Sequence, residues 1–183
     1  MKNTVKFLFF FLIISNAISA QKYITKNGKI SFFSKTPVEN IEAHNQQVNS
    51  ALDISSGDLV FKVLIKSFEF EKALMQEHFN ENYLESDKFP NATFIGKVFN
   101  IGDIDFSKDG TYDAKIEGNL TIHGVTKKVR ETGTFTVKDG KIKGMSKFVI
   151  FLKDYEIKVP SAVVKNIAES IDIIVDVTMS AIK

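Results

Sequence analysis

Alternation of apolar and polar residues dominates the chain from Gly110 onward. In TYDAKIEGNLTIH, residues 111–123, apolar side chains or glycine fill every second position and polar side chains fill most of the others. The same pattern recurs in residues 170–180 and, earlier, in DLVFKVLIKSF at residues 58–68. A period of two residues is typical of a β-strand with one buried face. These segments therefore predict three strands, each with a continuous apolar face.

Weaker alternation predicts five further strands, and two segments interrupt the strand rhythm. The weaker strands are residues 29–35, 47–54, 92–100, 127–137 and 141–151. The sequence FEKALMQEHFNENYLESDKFP, residues 70–90, is predicted to form one or two short helices. Residues 159–170 are predicted to form a short helical turn after Pro160.

The segments between these strands favour tight turns. Asn27-Gly28, Asp109-Gly110 and Asp139-Gly140 are dipeptides of the hairpin type, because glycine tolerates a positive φ. His123, Gly124 and Val125 are expected to form a bend between two antiparallel strands, with the histidine at the rim. Eight amphipathic strands connected in this way favour closure, since closing a sheet removes its unpaired edges. We expect an all-β fold, an extended eight-stranded antiparallel barrel with one or two short helices, and an open sandwich is the second choice.

The N-terminal twenty residues, MKNTVKFLFFFLIISNAISA, have the pattern of a secretory signal peptide. Lys2 and Lys6 precede an apolar run, and small or weakly polar residues follow it. The run is too short to span a membrane, which needs ~20 apolar residues. We expect a signal peptide over residues 1–20 with cleavage after Ala20, one domain over residues 21–183, and a periplasmic or secreted location.

Composition argues against several classes of function. The chain has no cysteine, so it has neither a disulfide framework nor a cysteine nucleophile. Without Lys2 and Lys6, the 24 Lys and Arg residues become 22 and equal the 22 acidic residues, whereas a nucleic-acid partner favours a basic face. His44, His78 and His123 lie far apart and match no metal motif, and the chain has no G-x-S-x-G segment. We therefore predict no catalytic residue, metal or cofactor.

The apolar faces of the strands supply the candidate binding residues. Strand alternation places ten of these side chains on the inner face of the barrel: Phe61, Val63, Ile65, Phe94, Ile116, Leu120, Phe135, Ile173, Val175 and Val177. An eight-stranded barrel is at the size where the interior either packs solid or holds one small ligand. Alternation alone leaves both outcomes open.

Three segments together resemble the YceI-like family of exported proteins. They are LTIHGVTKKV, SFEFEKALMQEHFNENYLESDKFPNATFIG and FLKDYEIKVP, which is followed by the last alternating strand. The resemblance covers essentially the whole mature chain. It implies a lipocalin-like barrel whose long apolar cavity binds a polyisoprenoid or related lipid, without enzymatic activity. KYITKNGKISFFSKTP lacks the tryptophan and the histidine-serine pair that are common at the start of this family, so the ligand's head group does not carry over.

Three functions are compatible with these observations. The leading hypothesis is a carrier that holds a polyisoprenoid or other long-chain lipid for transport or storage, without spanning the membrane. An enzyme or isomerase acting on such a lipid would need a titratable group inside the barrel. Glu131 and Lys147 fall on the apolar, inward-facing set of positions in their strands. A partner-binding β domain with a solid core would have no cavity. The oligomeric state is left open between a monomer and a homodimer.

Overall fold

The computed structural model describes residues 22–182. Nine strands make up most of this part of the chain: β1 (Lys22–Lys35), β2 (Asn40–Asp53), β3 (Asp58–Leu64), β4 (Phe68–Phe70), β5 (Asn91–Val98), β6 (Gly110–Ile122), β7 (Val125–Lys138), β8 (Lys141–Phe151) and β9 (Ser170–Ala181). The eight predicted strand segments all fall within or across these elements. The main differences are the longer β1 and β2 and the separate three-residue strand β4.

The strands close into a barrel. All pairings are antiparallel, β3 pairs with β5, and β1 pairs with both β2 and β9. A 3-10 turn at Ile65–Ser67 separates β3 from β4. Both strands pair with β2, at different places along its length, so together they fill one strand position in the barrel wall. The wall therefore has eight positions, which confirms the predicted eight-stranded antiparallel barrel.

Two tight hairpins have the predicted turn chemistry. At Asp139-Gly140 both residues have positive φ, 50° and 70°, as a two-residue hairpin of this type requires. His123 and Gly124 repeat this geometry with φ of 52° and 76°, between the last residue of β6 and the first of β7. The predicted bend at His123 is therefore confirmed, as a two-residue hairpin.

Two of the predicted hairpin turns are wrong. Asn27-Gly28 lies inside β1, where the pairing register with β2 shifts on both sides of Gly28. A Cβ at Gly28 would lie 2.6 Å from Val177 Cγ1, so this glycine allows a close approach between strands and not a turn. Asp109-Gly110 ends the long connection from β5 to β6, and Gly110 does not have a positive φ.

Helical segments cover one end of the barrel. Helix α1 (Ala73–His78) continues into a π-helical turn at Phe79–Tyr83, which confirms the short helix predicted before Pro90. Shorter 3-10 turns occupy Leu152–Tyr155 and Ser161–Val163, and the second confirms the turn predicted after Pro160. We call this end of the barrel the helical end.

The opposite end is filled by side chains, and we call it the packed end. Its cluster of buried residues comes from the strands that meet there and from the β5–β6 connection, which supplies Ile104: Tyr23, Leu52, Leu59, Val98, Ile104, Ala114, Phe135, Ile142, Val177 and Met179. A second buried cluster lies at the helical end, where Leu84 and Tyr155 pack with strand residues such as Ile150 and Ile171. No helix in the described part of the chain is both long and apolar enough to cross a membrane.

Candidate functional site: an apolar cavity along the barrel axis

Two cavities lie inside the barrel. The larger, of about 300 Å³, is at the helical end, and the smaller, of about 110 Å³, lies between it and the packed end. They share five wall residues: Ile30, Val63, Ala92, Leu120 and Phe148. The two cavities therefore adjoin along the barrel axis, and neither is fully enclosed.

The wall of the larger cavity is almost entirely apolar. Aliphatic residues of β1, β3, β6, β8 and β9 form its sides, and Met75, Phe79 and Leu84 of the helical region cover it. The side chains in its wall that carry nitrogen or oxygen are Ser34, Glu39, His78, Tyr83 and Asn166. Burial raises the pKa of Tyr83, as expected for a phenol in apolar surroundings.

Four phenylalanines form a cluster at the helical end. Phe32 lies 5.4 Å from Phe68, 5.7 Å from Phe70 and 5.4 Å from Phe79, measured between ring centroids. Phe79 comes within 5.0 Å of Phe70. Tilted and stacked pairs at these distances are favourable beyond the area that they bury. The cluster joins β1, β4 and the π-helical turn over the larger cavity.

Glu39 links three segments at the rim of the larger cavity. Its carboxylate accepts a hydrogen bond from Asn166 Nδ2 at 3.1 Å and pairs with Lys72 Nζ at 3.2 Å. These two contacts, the Asn166 bond first, hold the pKa of Glu39 below its usual value. Nearby, the backbone nitrogen of Ala168 donates to Ser34 Oγ at 2.8 Å. The connection from β8 to β9 and the start of α1 are thereby fastened to β1 and the turn that follows it.

The smaller cavity has one charged side chain in its wall. Glu131 of β7 lies there among the aliphatic and aromatic residues, and desolvation raises its pKa. It is also close enough to Tyr155 to contribute, after burial and Asp154, to raising the pKa of that phenol to about 12. The prediction that Glu131 is on the inner face of its strand is confirmed.

The same prediction for Lys147 is wrong. Lys147 is exposed, and its Nζ lies 3.8 Å from the carboxylate of Asp172. The inner residues of β8 are the alternate set that includes Phe148 and Ile150. The outer face also carries exposed Met145, Val149 and Phe151, so apolar residues lie on both faces of β8 and alternation did not distinguish the faces.

All ten side chains that alternation placed on the inner face line one of the cavities. Val63, Ile65, Leu120 and Ile173 line the larger one. Phe61, Val63, Phe94, Ile116, Leu120, Phe135, Val175 and Val177 line the smaller one. Whether they contact a ligand stays a prediction.

Sequence reasoning missed several other wall residues. Ile30 and Phe32 lie in a strand whose alternation is irregular, because of the shift in register at Gly28. Phe79 and Leu84 lie in the helical region, where a period of two carries no information. The number of phenylalanines in residues 68–79 was a usable signal, since such residues in a short amphipathic helix must cover another apolar surface.

His123 lies away from both cavities. Its Nε2 is 2.8 Å from Glu85 Oε2, its Nδ1 is 3.1 Å from the carbonyl oxygen of Tyr155, and its ring packs against Phe89 with centroids 4.7 Å apart. Its side chain is only 12% exposed. The histidine therefore fastens the β6–β7 hairpin to two neighbouring segments.

Within residues 22–182, no group of three His, Asp or Glu side chains is placed to hold a metal ion. The two cavities instead offer a long apolar wall with a few polar atoms near the helical end and one carboxyl group deeper in the barrel. Such a wall removes water from an apolar chain and gives it little polar anchoring.

Solved structures with a similar fold are known. The barrel is similar to a polyisoprenoid-binding domain from Saccharophagus degradans, with a TM-score of 0.76 and 11% sequence identity over 89% of this chain and 99% of that one. Burkholderia cenocepacia BcnA has a TM-score of 0.65 and 14% identity over 84% of this chain and 96% of that one. A Campylobacter jejuni YceI protein has a TM-score of 0.57 and 20% identity over 77% and 84%, respectively. At these identities the likeness concerns the fold.

Sequence comparison shows the family directly. No curated protein is similar enough in sequence to count as a match. The sequence profile of the YceI-like domain matches residues 21–179, which is most of the chain. The segments around His123, in the helical region and before Pro160 that suggested this family lie within the matched range. The protein therefore belongs to the YceI-like domain family.

Proposed function

We propose that the protein binds one polyisoprenoid or similar long-chain lipid along the barrel axis, for transport or storage. The observation that carries this proposal is the pair of adjoining apolar cavities with five common wall residues. The fold likeness to a polyisoprenoid-binding domain is consistent with it. A barrel with a solid core, the third of the functions considered above, does not fit two cavities.

The size of the cavities limits the ligand. At ~30 Å³ for each non-hydrogen atom, the volume of one water in the liquid, the two cavities have space for about fourteen atoms, close to three isoprene units. Burying fifteen carbons contributes about 12 kcal/mol at ~0.8 kcal/mol for each methylene. Association costs ~4 to 15 kcal/mol, so one or two units would bind weakly and about three units would bind measurably without a polar anchor.

Native mass spectrometry tests this function. Protein purified from its native host without detergent should carry an additional mass that organic extraction removes and that fragments as an isoprenoid or other long-chain lipid. The extracted protein should then bind farnesol, a three-unit isoprenoid alcohol. Protein that carries no lipid and does not bind farnesol would contradict the proposal.

A second candidate function is catalysis on the bound lipid, and Glu131 is the observation that favours it. A carboxyl group with a raised pKa in an apolar cavity is suited to moving a proton. Incubation of the protein with farnesol should then give an isomer, detected by chromatography, and Glu131→Gln should abolish the conversion. Unchanged farnesol with wild-type protein leaves binding as the function.

We also propose that the protein acts outside the cytoplasm. The support is the sequence of residues 1–20, which lie outside the described part of the chain. N-terminal sequencing of the exported protein should give Gln21 as the first residue. An exported form that still contains Phe7–Ile14 would overturn this proposal.

A further inference from the structure

The pairing between β7 and β8 stops halfway along the barrel. The first pair, at the hairpin, is Lys138 with Lys141, and the last pair is Gly133 with Ser146. No residue beyond Gly133 and Ser146 is paired between these two strands. Both strands nevertheless continue toward the helical end, β7 through Val125–Thr132 and β8 through Lys147–Phe151. We call the space between these two segments the β7–β8 cleft. On their other sides, β7 is paired with β6 and β8 with β9 over these lengths.

The smaller cavity lies directly behind the β7–β8 cleft. Val129 and Glu131 on the β7 side and Phe148 on the β8 side are among its wall residues. Phe148 also lines the larger cavity. On this side, the interior is therefore bounded by two strands that are not paired with each other.

Solvent reaches the inner face of β7 at the cleft. Lys127 is paired with Leu120 of β6, and residues directly opposite in an antiparallel pair point to the same face of the sheet. Leu120 lines both cavities, so Lys127 has inner parity. Lys127 is nevertheless exposed. In a closed wall an inner residue at this position would be covered by the next strand.

The cleft has two closed ends. Toward the packed end, Ser146 Oγ donates a hydrogen bond to the carbonyl oxygen of Thr132 at 2.6 Å, just beyond the last paired residues. Toward the helical end, the 3-10 turn Leu152–Tyr155 lies against β7, and His123 Nδ1 lies 3.1 Å from the Tyr155 carbonyl oxygen. The opening is therefore confined to the middle of the two segments.

Apolar side chains border the cleft on the outer surface. Val149 and Phe151 of β8 are 47% and 46% exposed, and they follow Lys147 along the outer face of the strand. Adjacent exposed apolar side chains such as these can contact another apolar group. A lipid chain crossing the wall here would move from one apolar surface to another.

We propose that the lipid enters and leaves the barrel through the β7–β8 cleft and not through the helical end. This inference rests on the proposed lipid-binding function and adds the route to it. Widening the cleft separates two segments that share no ladder, so little backbone hydrogen bonding is lost. Opening the helical end would separate the four packed phenylalanines and break the contacts of Glu39 with Asn166 and Lys72.

Cross-linking across the cleft tests the route, because the chain has no cysteine of its own. In the double variant Arg130→Cys/Val149→Cys, both thiols are on outer-face positions on opposite sides of the cleft. A reducible bis-maleimide would join them. The matched control is Thr136→Cys/Lys143→Cys, an outer-face pair on the same strands where they are already paired. A third variant, Val38→Cys/Lys165→Cys, joins the segments at the helical end, because these exposed residues are the chain neighbours of the hydrogen-bonded Glu39 and Asn166.

The readout is the rate at which each protein takes up and releases tritium-labelled farnesol, whose three isoprene units match the size of the two cavities. We expect cross-linking of the cleft to slow uptake, and release into phosphatidylcholine vesicles, by about tenfold or more. Reducing the linker should restore both rates, and the other two cross-links should change them by less than about twofold. Unchanged rates with the cleft cross-linked, or slow rates only with the helical end cross-linked, would overturn the route while leaving lipid binding intact. Failure of the unmodified protein to bind farnesol at any concentration would instead overturn the lipid-binding function.

Discussion

His123 shows how one side chain secures a hairpin. With φ of 52° it occupies a backbone conformation that asparagine, aspartate and histidine tolerate better than most residues. From that position the ring reaches Glu85 and the carbonyl of Tyr155 at the same time. Glu85 and Glu156, next to Tyr155, also have positive φ, so three such turns meet at this point. The histidine therefore connects irregular segments that no strand pairing holds together.

Replacing His123 should reduce stability and leave lipid binding intact. His123→Asn keeps a residue that tolerates positive φ and removes the contacts with Glu85, Tyr155 and Phe89. We expect the free energy of unfolding to fall by ~1–3 kcal/mol, the range for leaving a buried hydrogen-bonding group unpaired. Chemical denaturation measures this change. The affinity for farnesol should change by less than about tenfold, and a larger loss would mean that the histidine contacts the ligand.

Glu131 should make stability depend on pH in a defined direction. Burial raises its pKa above the ordinary 4.5, so the folded protein disfavours the ionised form more than the unfolded chain does. The stability that depends on the protonated carboxyl is fully present below pH 4.5 and is lost as the pH rises through the raised pKa of Glu131. Glu131→Gln should therefore raise the unfolding temperature at pH 7 and have no such effect well below pH 4.5.

The control for Glu131 is Glu77→Gln, a change at an exposed carboxyl of α1. It should leave the unfolding temperature unchanged at both pH values. Equal effects of the two substitutions would show that net charge, and not burial of Glu131, sets the pH dependence.

At the scale of elements, alternation was sufficient wherever one face of a strand is polar. The inner residues of β3 and β6 followed from it because lysine, aspartate and threonine mark their outer faces. It failed at β8, where Met145, Val149 and Phe151 lie among the lysines of the outer face. The number of strands predicted closure of the barrel. It did not predict where the pairing between β7 and β8 ends, since both segments continue in extended form beyond that point.

The register shift in β1 predicts a position that does not tolerate a side chain. In Gly28→Ala the new methyl group would lie 2.6 Å from Val177 Cγ1 and 3.2 Å from the carbonyl oxygen of Val48. We expect a loss of ~1–3 kcal/mol in the free energy of unfolding, as for other overpacked sites. Gly102→Ala is the matched control, because nothing lies within 4 Å of the added atom. Equal stability of the two variants would contradict the role of Gly28.

For the whole molecule, the sequence predicted which side chains face inward but not how much space they leave. Phe61 and Phe135 have the same alternation signature, yet Phe135 belongs to the buried cluster at the packed end and Phe61 is only partly buried. The free volume depends on how side chains from eight strands interdigitate, and a periodicity within one strand contains no such information. The cavities are therefore a property of the assembled barrel.

Lipid affinity should depend on chain length. Burial supplies the binding energy, so titration with isoprenoid alcohols of two to five units should show affinity rising until the cavities are full and then levelling. Leu120 lines both cavities, and Leu120→Gln should weaken the longer alcohols more than the shorter ones. Calorimetry at moderate salt measures both series.

Lys62→Gln is the control for Leu120→Gln, since Lys62 is exposed on the outer face of β3. It should have no effect on any alcohol. Affinity that is independent of chain length, but changes with the head group or with salt, would mean that polar contacts carry the binding.

The pairing of β1 with β9 has a consequence for how the protein is made. These strands are more than a hundred residues apart in sequence, so the ring cannot close until Ser170–Ala181 has left the ribosome. Until then β1 and β8 each present a free edge, which invites pairing with a second nascent chain. Two chains that exchanged their last strands would each complete the other's ring, and slow closure between distant segments would allow time for this exchange.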